Sequence, residues 1–405
     1  MKYRGLYSCW HMKLSGIIKL GTVITLASLC LLAIQMRVTK DPNNNFCTFT
    51  SGQTDSHDRP MVVVAADAVT QGACVTLASA LSNGWDVSFY DPRNTFLRDV
   101  KLDAKSVKRK IQTMFLNMHR HDSPIIFVDA YDVVFVRSPK AFMQNFADIV
   151  GESRRGGDII FSSETNCWPF NHPHWQDCPE LGMGFENTTS GRRRVKANTI
   201  CAAYPKARSA YRFLNSGAFV GRRRSLIKFF ENIEPLKDVI PQRCILTEQG
   251  LVQHAFLSSL DDSELSSYPW RSKVQALSRG AARTKILLDT RTQLFHNLGE
   301  GALSDLVISP WKDLRIQNNG TGSEPFLLHF NGDKRPYFDI GIPLAKAFSD
   351  VSSLMKVQFR CGSNELSFSS ICGKHLEEAF RDHPPVAQES WNQARSATQR
   401  STKRP

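Results

Sequence analysis

The chain contains no C-x-x-C pair, so the usual spacing of a structural zinc site is missing. Internal repeats and long low-complexity tracts are absent as well, which leaves the 405 residues for one large domain or two ordinary ones. Acidic residues are in deficit: 38 Asp and Glu stand against 51 Lys and Arg, for a net charge of +13. That balance suits anionic ligands or surfaces without naming one. The basic residues are spread along the chain, with local clusters at Arg192–Arg194, Arg222–Arg224 and in the tail. No helix-turn-helix signature or aromatic-basic RNA motif accompanies them, so no nucleic acid partner is expected and the excess reads as a solvated surface.

Apolar residues make up 41 % of the chain, enough for a real core. Leu20 to Met36 is a 17-residue stretch without charge, preceded by Lys2, Arg4, Lys13 and Lys19 and by no acidic residue. Its length is at the short end for a membrane helix. The positive flank keeps the N-terminus cytoplasmic, which predicts a type II signal-anchor with the remainder in a secretory lumen. A cleaved signal peptide is the rival, but Leu32 to Met36 is a poor small-x-small cleavage site. Eight cysteines follow the stretch, an even number that a secretory lumen permits to pair. Proximity suggests Cys167 with Cys178 or Cys201, and Cys361 with Cys372. Asn187–Thr188–Thr189 and Asn319–Gly320–Thr321 are glycosylation sequons.

The most informative run is Ile125 to Asp132, four strand-forming apolar residues ending in two carboxylates spaced D-x-x-D. A continuous apolar run of this length reads as a buried strand of a parallel sheet. Ligands of open α/β sheets bind outside the carboxyl ends of the strands. Asp129 and Asp132 there can hold a hard divalent cation, and through it a diphosphate. The bland alternative is a turn that carries two Asp.

Around this run the pattern alternates. Strands are expected at Met61 to Ala66, Val87 to Tyr90, Asp158 to Ser162 and Phe213 to Val220. Helices are expected at Gly72 to Leu81, Ala104 to His119, from Pro139, at Leu226 to Ile233 and at Thr247 to Leu257. Lys285 to Leu288, Gln293 to Phe295 and Pro325 to Phe330 read as further strands, and Leu344 to Met355 as a last helix. The alternation predicts an α/β domain of Rossmann-like type. Asn166 to Pro205 lacks periodicity and is rich in Trp, Pro, His, Gly, Arg and Cys, which reads as an ordered functional loop. The expected organisation is a tail (1–19), anchor (20–36), stem (37–59), catalytic domain (60–343), C-terminal extension (344–382) and disordered tail (383–405).

In order along the chain, Phe127 to Val133, Ile160 to Glu164 followed by Cys167–Trp168–Pro169, Phe213 to Gly221, Leu288–Asp289, Leu294–Phe295 and Asn297–Leu298 resemble the glycosyltransferase domain of the procollagen lysyl hydroxylase and procollagen glycosyltransferase family. The segment His329 to Tyr337 is similar to the H-F-x-G-x-x-K-P-W segment of glycogenin-like glycosyltransferases. The resemblance implies a GT-A fold, a UDP-sugar donor and a divalent metal, usually Mn²⁺. It implies that His329 completes the metal site begun by Asp129 and Asp132. A mixed imidazole and carboxylate set suits Mn²⁺.

By the same resemblance Tyr131 packs on the uracil, Asn215, Ser216 and Gly217 line the sugar, and Lys334 or Arg335 meets the phosphates. Arg335 takes the usual lysine position. Trp168 stands near the acceptor, where it stacks on a sugar or caps the core. The family's acidic run is altered here to Thr247–Glu248–Gln249, which would lie beside donor sugar and acceptor; a helix cap is the plain alternative. The implied activity is transfer of galactose or glucose from UDP to a hydroxyl on a hydroxylated, collagen-like peptide or on its attached sugar. The implied location is the membrane of the endoplasmic reticulum or Golgi. Rival readings are extension of a glycan or glycolipid, and a catalytically weak binding protein. Too few residues follow Pro343 for the iron-dependent hydroxylase module of the multifunctional relatives, so lysine hydroxylation is not expected.

Overall fold

A computed structural model describes residues 46–49, 59–66, 68–90, 124–152, 158–171, 186–188, 191–193, 198–233, 235–240, 242–245, 247–260, 284–299, 302–309, 315–361 and 364–383. The expected anchor and the expected helix Ala104 to His119 lie outside them. Among the described residues, no helix is long and apolar enough to cross a membrane.

The fold is mixed α/β. In chain order the strands are β1 (Phe46–Phe49), β2 (Met61–Ala65), β3 (Asp86–Tyr90), β4 (Pro124–Asp129), β5 (Val133–Phe135), β6 (Ile159–Glu164), β7 (Glu186–Thr188), β8 (Gly191–Arg193) and β9 (Phe213–Arg222). They continue as β10 (Ile286–Leu288), β11 (Phe295–Asn297), β12 (Leu306–Ile308), β13 (Ile316–Asn318), β14 (Leu327–His329), β15 (Gln358–Cys361) and β16 (Asn364–Ser367). The large sheet runs β10-β6-β9-β4-β2-β3-β1-β15-β16, and a smaller one runs β11-β14-β5. In the large sheet β2 is parallel to both β3 and β4, while β9 is antiparallel to β4 and β6.

The apolar runs explain the layering. Side chains alternate across a strand, so Val62, Val64, Ile126 and Val128 join one core with the helix Gln71–Ser82. Met61, Val63, Ile125 and Phe127 join the core on the other face, with the helices Arg223–Ile233 and Glu248–Ser259. A strand buried on both faces needs apolar residues at every buried position, and β4 has them from Pro124 to Val128. Phe127 stacks on Phe219 at 4.7 Å between ring centroids. Truncating such a buried Phe to Ala costs about 3–5 kcal/mol.

Two expectations are corrected, and one open choice is resolved. Cys361 and Cys372 do not pair with each other: Cys47 bonds Cys361 and Cys74 bonds Cys372. Nearness in sequence misled, because β15 lies beside β1, and the helix Phe368–Asp382 packs on the Gln71 helix. Of the two partners open to Cys167, the structure has Cys201, as one of the expected pairs. The expected helix Leu344 to Met355 is two short helices, Ile342–Phe348 and Val351–Leu354. Between them the Asp350 carboxylate accepts bonds from the Ser352 and Ser353 amides, a helix start that interrupts the first. The stretches read as stem and extension contribute β1, β15 and β16 to the main sheet.

Candidate active site

The D-x-x-D turn is where the chain leaves one sheet for the other. Asp129 ends β4 in the large sheet, and Val133 begins β5 in the small one. Strand β14 pairs antiparallel with β5, and its last residue, His329, sits opposite Val133. The Phe330 amide donates to the Asp132 carbonyl at 2.9 Å. Pairing thus brings a residue some two hundred positions away to the aspartates. His329 Nε2 lies 3.5 Å from Asp132 Oδ1 and 3.7 Å from Asp129 Oδ2. One ligand atom from each of the three lies within 4.8 Å of the others.

Strand β9 supplies the opposite wall. Its pairing with β6 shifts register between Phe161 and Ser162, so that Phe161 meets Phe219 while Ser162 meets Asn215. Ser216, Gly217 and Ala218 are thereby released from that ladder, as a bulge does. Gly217 fills the released place because nothing larger fits. A Cβ there would stand 2.3 Å from His329 Cε1 and 2.7 Å from Asp129 Oδ2.

These groups open into a cleft of about 530 Å³. Asp129, Asp132, Trp168, Asn215, Ser216, Gly217, Thr247, Glu248, Gln249, His329 and Lys334 all line it. Two expected residues do not. The Tyr131 hydroxyl accepts from the Ala68 amide at 3.2 Å, and its ring packs on the core. Arg335 is exposed on the turn after β14. Lys334 takes the inward position and ion-pairs with Asp132. Gly332, two residues earlier, has φ +91°, a conformation that favours glycine.

Glu164, Asn166, Gly299, Asn331 and Gly332 also line the cleft and had been given no role. Glu164 is buried at the end of β6 and accepts from Gln249 Nε2 and Asn331 Nδ2, each at 2.8 Å. The signal for it was available, since it is an acidic residue at the carboxyl end of a buried strand, like Asp129. Gln249 also donates to the Trp168 carbonyl at 2.8 Å, as does Gln253 at 2.9 Å. Trp168, 37 % exposed, is held by its backbone and presents its indole at the cleft edge.

Thr247 caps the Glu248 helix, its hydroxyl accepting from the Gly250 amide at 3.2 Å. That satisfies one of the unpaired donors of the first turn. Glu248 accepts from Ser216 Oγ at 3.0 Å.

The charges are unevenly shared. Burial pushes the Asp132 carboxyl up, but the His329 charge, its hydrogen bond and Lys334 outweigh burial and hold it at about 2. Burial pushes Asp129 up to about 6, against the pull of His329 and with a further push from Asp132. Because 53 % of its side chain still meets cleft solvent, water screens part of that effect. Glu248 rises to about 7 through burial and the nearby Asp129 charge, with Ser216 opposing. Burial pushes His329 down, yet Asp132 and Asp129 raise it above the usual imidazole range. A buried imidazole nitrogen facing two carboxylates calls for positive charge between them. A divalent cation fits: two oxygens and one nitrogen converge, and Gly217 leaves the volume that a side chain would fill.

Residues 60–184 match the family model described as the PLOD GT domain. The resemblance read from the sequence is therefore borne out, and this segment is similar to a PLOD-type glycosyltransferase domain. Among curated proteins, the human multifunctional procollagen lysine hydroxylase and glycosyltransferase LH3 is 24 % identical over 214 residues, covering 53 % of this chain. Procollagen-lysine,2-oxoglutarate 5-dioxygenase 1 from Bos taurus is 22 % identical over 286 residues, 70 % of this chain and 31 % of its own length. The chain spans only 21 % of the human relative. Among solved structures, a glycosyltransferase involved in glycosylation of the major capsid of PBCV-1 aligns at 9 % identity, with a TM-score of 0.34 over 68 % of this chain and 96 % of that one. Mouse xyloside xylosyltransferase 1 aligns at 12 % identity, with a TM-score of 0.30 over 68 % and 97 %.

Proposed function

We propose that the protein is a metal-dependent glycosyltransferase of GT-A fold that moves a hexose, galactose or glucose, from a UDP-sugar to a hydroxyl acceptor. The observation that carries this reading is the Asp129–Asp132–His329 group, cradled by Gly217 at one end of a cleft with Glu248 and Ser216 also on its wall. Asp129, Asp132 and His329 would hold the cation, with Mn²⁺ expected over Ca²⁺ from the mixed donor set. Bound there, it would offset the charge that collects on the diphosphate as the sugar leaves.

The remaining work falls to side chains. Lys334 is the one Lys or Arg among the described residues lining the cleft, and it stands on the metal side where a β-phosphate would lie. Asn215, Ser216 and Gly217 line the sugar side, with Glu164, Gln249 and Asn331 as a linked set of hydroxyl partners. Transfer forms a bond from the acceptor oxygen to the anomeric carbon. The bond from that carbon to the β-phosphate oxygen breaks, and UDP leaves with the electron pair. The acceptor proton needs a base, and a carboxyl raised to about 7 is half-ionised at neutral pH. Glu248 is our choice for that role, and it carries alone what an acidic pair does in the family that this chain resembles. Trp168 offers a flat apolar face for an acceptor at the rim.

The likeness to procollagen-modifying proteins supports a hydroxylated, collagen-like peptide, or the sugar already attached to one, as the acceptor. The cystines among the described residues support a secretory route, and we propose with it the type II membrane location in the endoplasmic reticulum or Golgi. One observation favours the second reading, a weak or inactive binding protein. The Thr247 hydroxyl is engaged as a helix cap, so nothing at that position replaces a second carboxylate. A donor screen separates the two. The full chain with Mn²⁺ is expected to hydrolyse UDP-galactose or UDP-glucose slowly and to accelerate with a hydroxylysine peptide or its galactosyl form. Binding of UDP without release of sugar from any donor would select the second reading.

A further inference from the structure

We infer that Asn297 is the positioning residue of this site: it fixes the tautomer and ring orientation of His329 so that Nε2, and not Nδ1, meets the cation. The inference rests on the proposed metal site. Asn297 is fully buried and does not line the cleft, so it touches no substrate. In the parallel pair β11/β14 it stands directly beside His329.

Hydrogen-bond chemistry settles the rest. Asn297 Nδ2 lies 2.8 Å from the Ser163 carbonyl oxygen. A carbonyl only accepts, so the amide group facing it must be the NH₂. The amide oxygen therefore faces His329 Nδ1, at 2.7 Å. An amide oxygen also only accepts, so Nδ1 must carry a proton. Nε2 is left as the nitrogen turned toward Asp132 and Asp129. The Leu298 amide donates to the His329 carbonyl at 2.8 Å, which holds the two backbones in this register. A ligand histidine whose other nitrogen is held in this way is oriented before the ion arrives, and losing such a partner commonly weakens metal binding 10–100-fold. The sequence hid this role because a lone Asn at a strand end has no distinguishing pattern.

The test uses the full chain, labelled with ¹⁵N-histidine, in wild-type form and as Asn297→Leu and Asn297→Asp. Long-range ¹H–¹⁵N spectra report the His329 tautomer, Mn²⁺ titration calorimetry without nucleotide reports the site, and circular dichroism melts report folding. Wild type is expected to show a protonated Nδ1 with or without metal. Asn297→Leu removes the acceptor at similar volume; it is expected to stay folded, to mix tautomers, and to bind Mn²⁺ 10–100-fold more weakly. Asn297→Asp keeps an oxygen toward Nδ1 but sets its other oxygen against the Ser163 carbonyl, so a folded Asp variant should melt lower yet keep Nδ1 protonated and hold affinity within a few-fold of wild type. An unprotonated Nδ1 in wild type overturns the inference, as does a folded Asn297→Leu with unchanged Mn²⁺ affinity. If Asn297→Leu does not fold, the wild-type spectrum and the Asp variant decide. If wild type binds no Mn²⁺, the metal reading fails, and the tautomer spectra alone still decide Asn297.

Discussion

Replacing Gly217 by alanine adds one methyl group at the most crowded point of the site. Its Cβ would meet His329 Cε1 at 2.3 Å, whereas carbon atoms rest about 3.5 Å apart. Roughly 1.2 Å of movement is therefore needed. The backbone of β9 cannot supply it easily: Ala218 is registered against Val128, and the Gly217 amide donates to Asn215 Oδ1 at 2.9 Å. His329 is held from behind by Asn297, so the half-exposed Asp129 and the imidazole must part. Overpacking of this kind costs about 1–3 kcal/mol of stability, a modest shift in melting temperature for a domain of this size. The larger effect is on the site, where a misplaced ligand should weaken Mn²⁺ binding at least tenfold, or about 1.4 kcal/mol. Turnover should fall about a hundredfold, as a 1 Å misplacement of reacting groups does. Gly151→Ala is the control, since a Cβ there meets nothing within 4 Å. It should leave Mn²⁺ binding and turnover unchanged. Calorimetry, melts and sugar transfer are measured on both variants. A Gly217→Ala protein with wild-type Mn²⁺ affinity and turnover would refute the cradle.

Asp132→Ala and His329→Ala should each abolish transfer and metal-dependent UDP binding with the fold retained; near wild-type turnover in either would move the site elsewhere. Glu248→Gln should lower turnover at least tenfold, a barrier rise of about 1.4 kcal/mol, with UDP affinity little changed. In wild type the rate should climb to a plateau above about pH 7, where the Glu248 base is ionised, and the Gln variant should lose that limb. If Glu248 only starts its helix, the variant will show normal turnover and a few tenths of a kcal/mol less stability. His254 is buried, which pushes its folded pKa down to about 4 from 6.5. Its neutral form therefore contributes stability that is complete above about pH 6.5 and is lost as pH falls toward 4. The stability gap between wild type and His254→Gln should shrink from pH 7.5 to pH 5; a gap independent of pH in urea melts would contradict the shift.

How far the sequence reached depends on the kind of signal. Ile125 to Asp132 disclosed both a strand and its function, because continuous burial and a carboxylate pair are local patterns. The helices Gln71–Ser82 and Glu248–Ser259 were read nearly to their ends, helped by the Thr247 cap. Position within the site was harder. Alignment favoured Arg335 over Lys334, but Lys334 is the one that lines the cleft and pairs with Asp132. Tyr131 is expected against the base; it stands outside the cleft lining, with its hydroxyl accepting from the Ala68 amide. Glu164 bonds partners 85 and 167 residues away and Asn297 one that is 32 away, and no local pattern records such partners. Nearness found Cys167–Cys201 but failed for Cys361–Cys372, because it cannot see that β15 returns to β1.

That return has a consequence for how the chain is made. Strand β1 pairs on one edge with β3, nearby in the sequence, but the strand on its other edge carries its cystine partner Cys361, 314 residues downstream. At about 5–20 residues per second the ribosome needs on the order of 15–60 s to deliver them. Throughout that interval Cys47 and Cys74 stand 27 positions apart in the emerging chain with neither final partner yet made. The bond easiest to form first is then one that the finished molecule does not contain. Maturation must either hold both thiols reduced until the last helix is translated or undo that early bond by exchange, and a fragment ending at Pro343 could never complete it.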